Sequence, residues 1–243
     1  MSTGSASDAV LGRLNDALED LEALYKDIHS HPELSMQGKR TAGIAAARLR
    51  EAGFEVTEGI GATGVVGLLE NGDRPTVMLR ADMDALPVKE DTGLPYASTV
   101  TASDLDGNET PVMHACGHDI QVTWLAGASA LLGRARDAWR GTVMAVFPPA
   151  EETAAGARAM IDDGLFERFP KPDVILGQQV MPISAGTIAS KSGVVTSAGD
   201  SLQIRMFGRG AHGSMPQASI DPVVMAASTV LRLQTLVSRE LAP

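Results

Sequence analysis

Cysteine is nearly missing from this chain of 243 residues, which carries one, Cys116. One cysteine excludes an intrachain disulfide and fits a reducing compartment, so the cytoplasm is the expected location. Positive charge is also scarce: 20 Lys and Arg stand against 30 Asp and Glu, a formal net charge of -10. No basic cluster interrupts that balance, which argues against binding nucleic acid or an anionic membrane surface. Apolar runs are short, none approaching the roughly 20 residues of a membrane-spanning helix. The opening residues, Met1 to Asp8, are small and polar, with neither the basic nor the apolar part of a secretory leader. Aromatic residues are few, 4%, yet 44% of the chain is hydrophobic, the composition of a soluble globular protein with a sizeable core. The length suits one α/β domain, or one domain with part of another.

Leu11, Leu14, Leu18, Leu21 and Leu24 recur at three- and four-residue intervals and predict an amphipathic helix from Asp8 to about Ile28. Pro32 closes it by disfavouring a helical His31. The segment His29-Ser30-His31-Pro32-Glu33-Leu34 sets two histidines beside an acid. Metal binding is one reading; a helix-terminating loop is preferred, since polar and cationic side chains suit a helix C-terminus. A second helix covers about 41–52 and stops at Gly53. Three short aliphatic segments, 54–57, 64–69 and 76–80, read as strands, and residues 88–113 read as loop. Asp119 to about Arg134 is helical. Thr142 to Phe147 reads as a strand covered on both faces, followed by a helix, 154–162, and a strand, 173–177. This alternation predicts a three-layer α/β/α sandwich over residues 1–185. Past a polar linker, about 186–196, Leu202 to Met206 alternates as a strand does and Asp221 to about Ser238 reads as a helix. That pair is the opening half of a second, small domain, 186–243.

The chemistry concentrates in His114-Ala115-Cys116-Gly117-His118-Asp119, which holds the only cysteine and two of the five histidines. Thiolate, imidazole and carboxylate together satisfy a borderline-soft divalent cation. Residues two apart in extended backbone project to one side, so Cys116 and His118 can reach one ion. Alone, such a stretch reads equally well as a turn with a buried cysteine and a capping Asp119. Strand 76–80 runs into Ala81–Pro87, whose alternating Asp82 and Asp84 fall where open α/β sheets place their chemistry; a solvated acidic turn is the simpler reading of that stretch by itself. Glu151 and Glu152 follow strand 142–147. Adjacent carboxylates diverge, which suits one to ligate a metal and the other to act as general base. The result is three candidate ligands and one base, a hydrolytic site short of a ligand. A cysteine hydrolase built on Cys116, His118 and Asp119 is the weakest reading, because neighbours on one loop seldom supply both nucleophile and aimed base.

Four stretches then occur together and in order: Arg80-Ala81-Asp82-Met83-Asp84-Ala85-Leu86-Pro87, the Cys116 motif, Pro149-Ala150-Glu151-Glu152, and Gly208-Arg209-Gly210-Ala211-His212-Gly213-Ser214-Met215-Pro216. With His31-Pro32-Glu33-Leu34-Ser35 they resemble the aminoacylase/carboxypeptidase-type metallo-amidohydrolases, in particular the hippurate hydrolase and indole-acetyl-amino-acid hydrolase subfamily. The resemblance spans essentially the whole chain. It implies a phosphorylase/hydrolase-like α/β/α catalytic domain and a ferredoxin-like α+β lid that also dimerises. It further implies up to two divalent ions (Zn, Mn, Ni or Co) and cleavage of N-acyl amino acids or related amides and peptides. Carried over by position, Cys116, His118 and Glu152 are metal ligands, Glu151 is the general base and Asp84 orients the cluster from behind. His212 belongs to the lid, where its counterpart holds the substrate carbonyl or oxyanion, often in the partner subunit's site.

Three departures from that pattern stand out. Ile120-Gln121 occupies the place where the family continues its metal motif with a second histidine. Gln179, before Val180-Met181-Pro182, takes the place of a ligand histidine, and an amide oxygen is a weaker ligand than imidazole for zinc-like ions. The family chain is longer, its remaining lid segment and last catalytic segment carrying another ligand histidine. These departures raise the alternative of a weakly active or non-catalytic metal-binding or interaction member of the same family.

Overall fold

A computed structural model describes residues 3–73, 75–195 and 202–236 of the chain. They fall into two compact units, Met1–Ile183 and Ser184–Pro243. In the first, helices α1 (Thr3–Leu11), α2 (Leu14–Ser30) and α3 (Lys39–Glu51) lead into strands β1 (Glu55–Ile60), β2 (Gly64–Asn71) and β3 (Thr76–Arg80). After them come β4 (Thr101–Ser103), β5 (Glu109–Pro111), α4 (His118–Arg134), β6 (Gly141–Phe147), α5 (Gly156–Asp162), α6 (Leu165–Arg168) and β7 (Val174–Gly177).

Five strands form one mixed sheet in the order β1-β2-β6-β3-β7. The pairs β1–β2 and β2–β6 are antiparallel, whereas β3 runs parallel to both β6 and β7. Side chains alternate across a pleated strand, and here the alternation sorts them between two cores. Val65, Leu69, Val143, Ala145 and Phe147 pack with Leu24 and Ile28 of α2, Ala45 and Leu49 of α3, and Val122 and Leu125 of α4. Val66, Met78, Met144 and Val146 face the other way, onto Met160 of α5 and Leu165 of α6. Burial on both faces explains why β6 reads as an unbroken apolar run. The predicted α/β architecture is therefore present: a central sheet between helices, with one outer layer much thinner than the other. Gly127 lets α2 approach α4, since a Cβ there would lie 2.9 Å from Leu21 Cδ1.

Three expectations need correction. The helix predicted from Asp8 to Ile28 is broken at Gly12 and Arg13, where glycine is a weak helix former; Leu11 and Leu18 lie more than half exposed rather than in the stripe's core. The predicted loop 88–113 contains the β4–β5 hairpin, in register from Thr101↔Pro111 to Ser103↔Glu109. Its turn is held by Asp104 Oδ1, which accepts from the backbone N–H of Asp106 at 2.9 Å and of Asn108 at 2.8 Å. Leu202 to Met206 is not a strand: alternation supplies a face, but a strand also needs a partner for its N–H and C=O groups, and the described residues of its unit offer none.

In the second unit helix α7 (Pro222–Thr235) begins as the sequence expects. Asp221 caps it by accepting from Val223 N at 2.8 Å, and Pro222 takes the first turn, where its missing N–H costs nothing. The predicted end at Ser238 lies outside the described residues. Arg209 and Ile220 form an isolated antiparallel bridge that closes the loop bearing His212.

Candidate metal centre

The parallel strands β3, β6 and β7 end on the same rim of the sheet, and each delivers acidic or amide side chains there: Asp82 and Asp84 after β3, Glu151 and Glu152 after β6, Gln179 after β7. The turn before α4 brings Cys116 and His118 to that rim. Gly117 makes the turn possible: its φ of 77° is left-handed, and a Cβ on it would sit 2.6 Å from Val180 Cγ2.

One ligand atom each from Cys116, His118 and Glu152 lies within 4.8 Å of the others. His118 is fully buried, and its Nδ1 is 2.7 Å from the backbone carbonyl of Asp84. A carbonyl only accepts, so Nδ1 carries the hydrogen and Nε2 of the neutral ring keeps its lone pair for the cluster. That Nε2, like Oε1 of Glu152, is buried with no hydrogen-bond partner among the described residues. Buried polar atoms are rarely left so. Two orphaned donors converging beside a thiol are what a divalent cation's first coordination sphere requires, so these residues fit a metal ion.

Asp84 holds the arrangement together. Its buried carboxylate accepts from Ser35 Oγ at 2.6 Å and from the backbone N–H groups of Glu151 and Glu152, both at 3.0 Å. Burial alone would raise its pKa, but these bonds and the His118 ring bring it down to about 2. Burial likewise opposes charge on His118, yet the Asp84 side chain and carbonyl carry its pKa up to about 9 in the metal-free protein. Burial raises Glu152, with neighbouring carboxylates adding to it, and burial raises the Cys116 thiol. Asp82, also buried, is pushed up to about 6 despite Arg80 Nη2 at 2.7 Å. Glu151 is more open: its Oε2 stands 3.7 Å from His118 Nε2, and its side chain is 42% exposed.

Gln179 reaches the cluster by a different contact. Its Nε2 donates to Cys116 Sγ at 3.1 Å, and its Oε1 accepts from Gln121 Nε2 at 2.8 Å. His212 lies in the second unit, exposed, with Nδ1 2.8 Å from Ser214 Oγ. Asp119 turns away from Cys116 and His118 altogether. Its Oδ2 is 2.6 Å from Nδ1 of His29, whose Nε2 is 3.0 Å from Glu90 Oε1. Among the described residues the cysteine-hydrolase triad is therefore not assembled. Burial disfavours charge on His29, but the two carboxylates outweigh it and raise its pKa. The sequence predicts a helix-terminating loop at His29; His29 instead occupies the last turn of α2 and is buried in this ionic cluster, while exposed His31 caps the helix. Ser35 was visible only as part of a motif and Glu90 not at all, because nothing local marks a partner 61 residues away.

Two curated relatives are similar over nearly the whole chain. A hippurate hydrolase of Campylobacter jejuni is 41% identical over 94% of the chain and 57% of its own length, and an N-acetyl-L-cysteine deacetylase of Bacillus subtilis is 35% identical over 93% and 52%. The chain thus spans little more than half of each. Among solved structures, the YXEP protein of Bacillus subtilis, a dinuclear metal binding peptidase from the M20 family, superposes with a TM-score of 0.59. It is 36% identical over 68% of this chain and 43% of that one. The match to the sequence model of peptidase family M20/M25/M40 covers residues 78–239, a stretch that runs from the Asp84 brace through Cys116, His118 and the glutamate pair to Gln179 and beyond, and the chain belongs to that family.

Proposed function

We propose that this chain supplies the metal-binding residues and general base of an amidohydrolase that cleaves N-acyl amino acids or closely related small amides. The observation that carries the reading is the pair of orphaned buried atoms, His118 Nε2 and Glu152 Oε1, facing Cys116. A divalent ion held there supplies Lewis acidity toward the amide carbonyl. Glu151, the more exposed of the two glutamates, takes a proton from the attacking water and returns it to the departing amine nitrogen. Asp84 keeps the 150–152 turn and the His118 ring in register with each other. The names of the relatives support an acylated amino acid as substrate.

His212 contacts the substrate carbonyl or its oxyanion once the second unit is completed and paired with a second copy of the chain. The apolar residues that α7 exposes, Val223, Val224, Val230 and Leu231, support such pairing. The single cysteine supports a reducing, cytoplasmic setting, and no helix among the described residues is long and apolar enough to cross a membrane.

The test is equilibrium metal binding by the purified chain, with hydrolysis of N-acyl amino acids measured in a version completed to the length of its relatives. Binding should require Cys116 and Glu152 and survive Glu151→Gln. Equal binding by Cys116→Ser, Glu152→Gln and the parent chain would overturn the reading.

A further inference from the structure

The two glutamines that replace expected histidines are joined by the fold. Gln121 and Gln179 lie 58 residues apart in sequence, yet they share a hydrogen bond of 2.8 Å. That bond is the middle link of a relay with a fixed direction. Asp82 N–H, a backbone group that can only donate, meets Gln121 at 3.2 Å, so the atom it meets is Oε1. The other end of the Gln121 amide is then its NH₂, and the atom of Gln179 that receives it is Oε1. What Gln179 has left is its own NH₂, 3.1 Å from Cys116 Sγ. Reversing Gln121 would point NH₂ at an N–H, and reversing Gln179 alone would set two NH₂ groups face to face. Gln121 is 3% exposed, so solvent does not relax the constraint at the buried end. Val180, against Gly117, holds the chain beside Gln179 to the Cys116 turn.

We propose that Gln121 is a positioning residue that fixes Gln179 as an N–H donor to Cys116 instead of a metal ligand, leaving one ion to Cys116, His118 and Glu152. The proposal rests on the metal centre described above and adds its occupancy and polarity. An NH₂ group aimed at the site has no lone pair for a cation. Its donation to sulfur favours the thiolate but supplies no electron pair to an ion, so its removal costs far less than removal of a ligand. Replacing histidine at both positions acts as a unit: the donor at 121 dictates what 179 can offer.

Cobalt(II) titrated into the metal-free chain tests this, followed by calorimetry and by the sulfur-to-cobalt absorption band. The parent chain takes up one cobalt. Gln179→Met binds cobalt within about threefold of the parent, whereas losing a group that lends density to a metal site costs about 10–100-fold. Gln121→Met keeps the shape of the side chain but removes donor and acceptor, freeing Gln179 to present its oxygen. Affinity then rises about tenfold, on the scale of outer-sphere effects, the ligand-field bands shift, and neither change occurs in the Gln121→Met/Gln179→Met double variant. If circular dichroism shows that Gln121→Met fails to fold, stoichiometry and the Gln179→Met arm still decide. A loss of about tenfold or more in Gln179→Met, an equal response to Gln121→Met in both backgrounds, or two cobalt ions held alike by the parent overturns the relay. Where cobalt still binds through Cys116, that outcome leaves the metal centre standing. No binding by any variant removes both.

Discussion

His118 and Asp119 are neighbours in sequence and belong to opposite kinds of cluster. On the Asp119 side His29, Glu90 and Asp119 are all partnered, although both ring nitrogens of nearby His114 are buried without a partner among the described residues. Both nitrogens of His29 face carboxylates, Glu90 accepts from Thr92 Oγ1 and Ser98 N, each at 2.5 Å, and Asp119 Oδ1 takes the N–H of Ile120. Tyr25 and Tyr96 close over the His29 ring with centroids 5.7 and 5.3 Å away. On the His118 side Nε2 of His118 and Oε1 of Glu152 are buried with no hydrogen-bond partner among the described residues. The two clusters share residue types and burial, and in both the histidine pKa is raised by carboxylates. Residual coordination capacity separates them: a saturated cluster is a structural brace, and an unsaturated one is a place for a ligand.

The sharpest way to break that comparison is to remove the base beside the open cluster. Glu151→Gln, in a version completed to the relatives' length, should cut hydrolysis by about 10²–10⁴-fold while metal content stays near the parent value. Glu152→Gln should lower both. Equal metal loss in the two variants would erase the division of labour between the glutamates.

The closed cluster should answer to stability and leave the metal alone. His29→Gln strands two buried carboxylates, a loss of about 3 kcal/mol by analogy with broken buried ion pairs, read from urea unfolding. Its metal affinity should match the parent's. Weaker metal binding at unchanged stability would show that the two clusters are not separable.

A somewhat smaller effect belongs to Asp84. Its folded pKa of about 2 lies below the ordinary aspartate value of 3.8, so its contribution is present above about pH 4 and lost as pH falls toward 2. That shift corresponds to about 2 kcal/mol. Asp84→Asn should flatten stability over that window. His29 behaves with the opposite sign: its raised pKa makes its contribution full below about pH 6.5, the ordinary histidine value, and lost as pH rises through the folded value. His29→Gln should therefore flatten the alkaline side, the smallest of these effects. A variant that flattens the wrong side would reverse the assignment.

The open cluster was legible because its chemistry is local. Cys116 and His118 sit two residues apart, Glu151 and Glu152 are adjacent, and strand ends recognisable by their aliphatic runs place both groups at one rim. The closed cluster was not, since His29, Glu90 and Asp119 meet only across long separations and each residue alone is ordinary. Gln179 departs from an expected histidine, but its partner becomes visible only when the segment after β7 and the first turn of α4 meet at one rim. The strand expected at 202–206 shows the complementary limit. Alternation in sequence reports a face, whereas a strand exists only with a neighbour to bond. Likewise a single stripe of leucines ran through Gly12 without revealing the break, because the stripe records spacing and not backbone continuity.

The Asp84 carboxylate ties Ser35 to the 151–152 turn across separations of 49, 67 and 68 residues. Contacts of that span are costly to close early, and chains rich in them fold slowly. The donors should therefore come together only after β3 and β6 have paired, which a metal-independent refolding rate would check. A ligand that binds only the paired state leaves the rate of folding alone and acts on the rate of unfolding. An ion bound there should therefore slow unfolding, read as slower proteolysis of the metal-loaded chain, and leave the refolding rate unchanged.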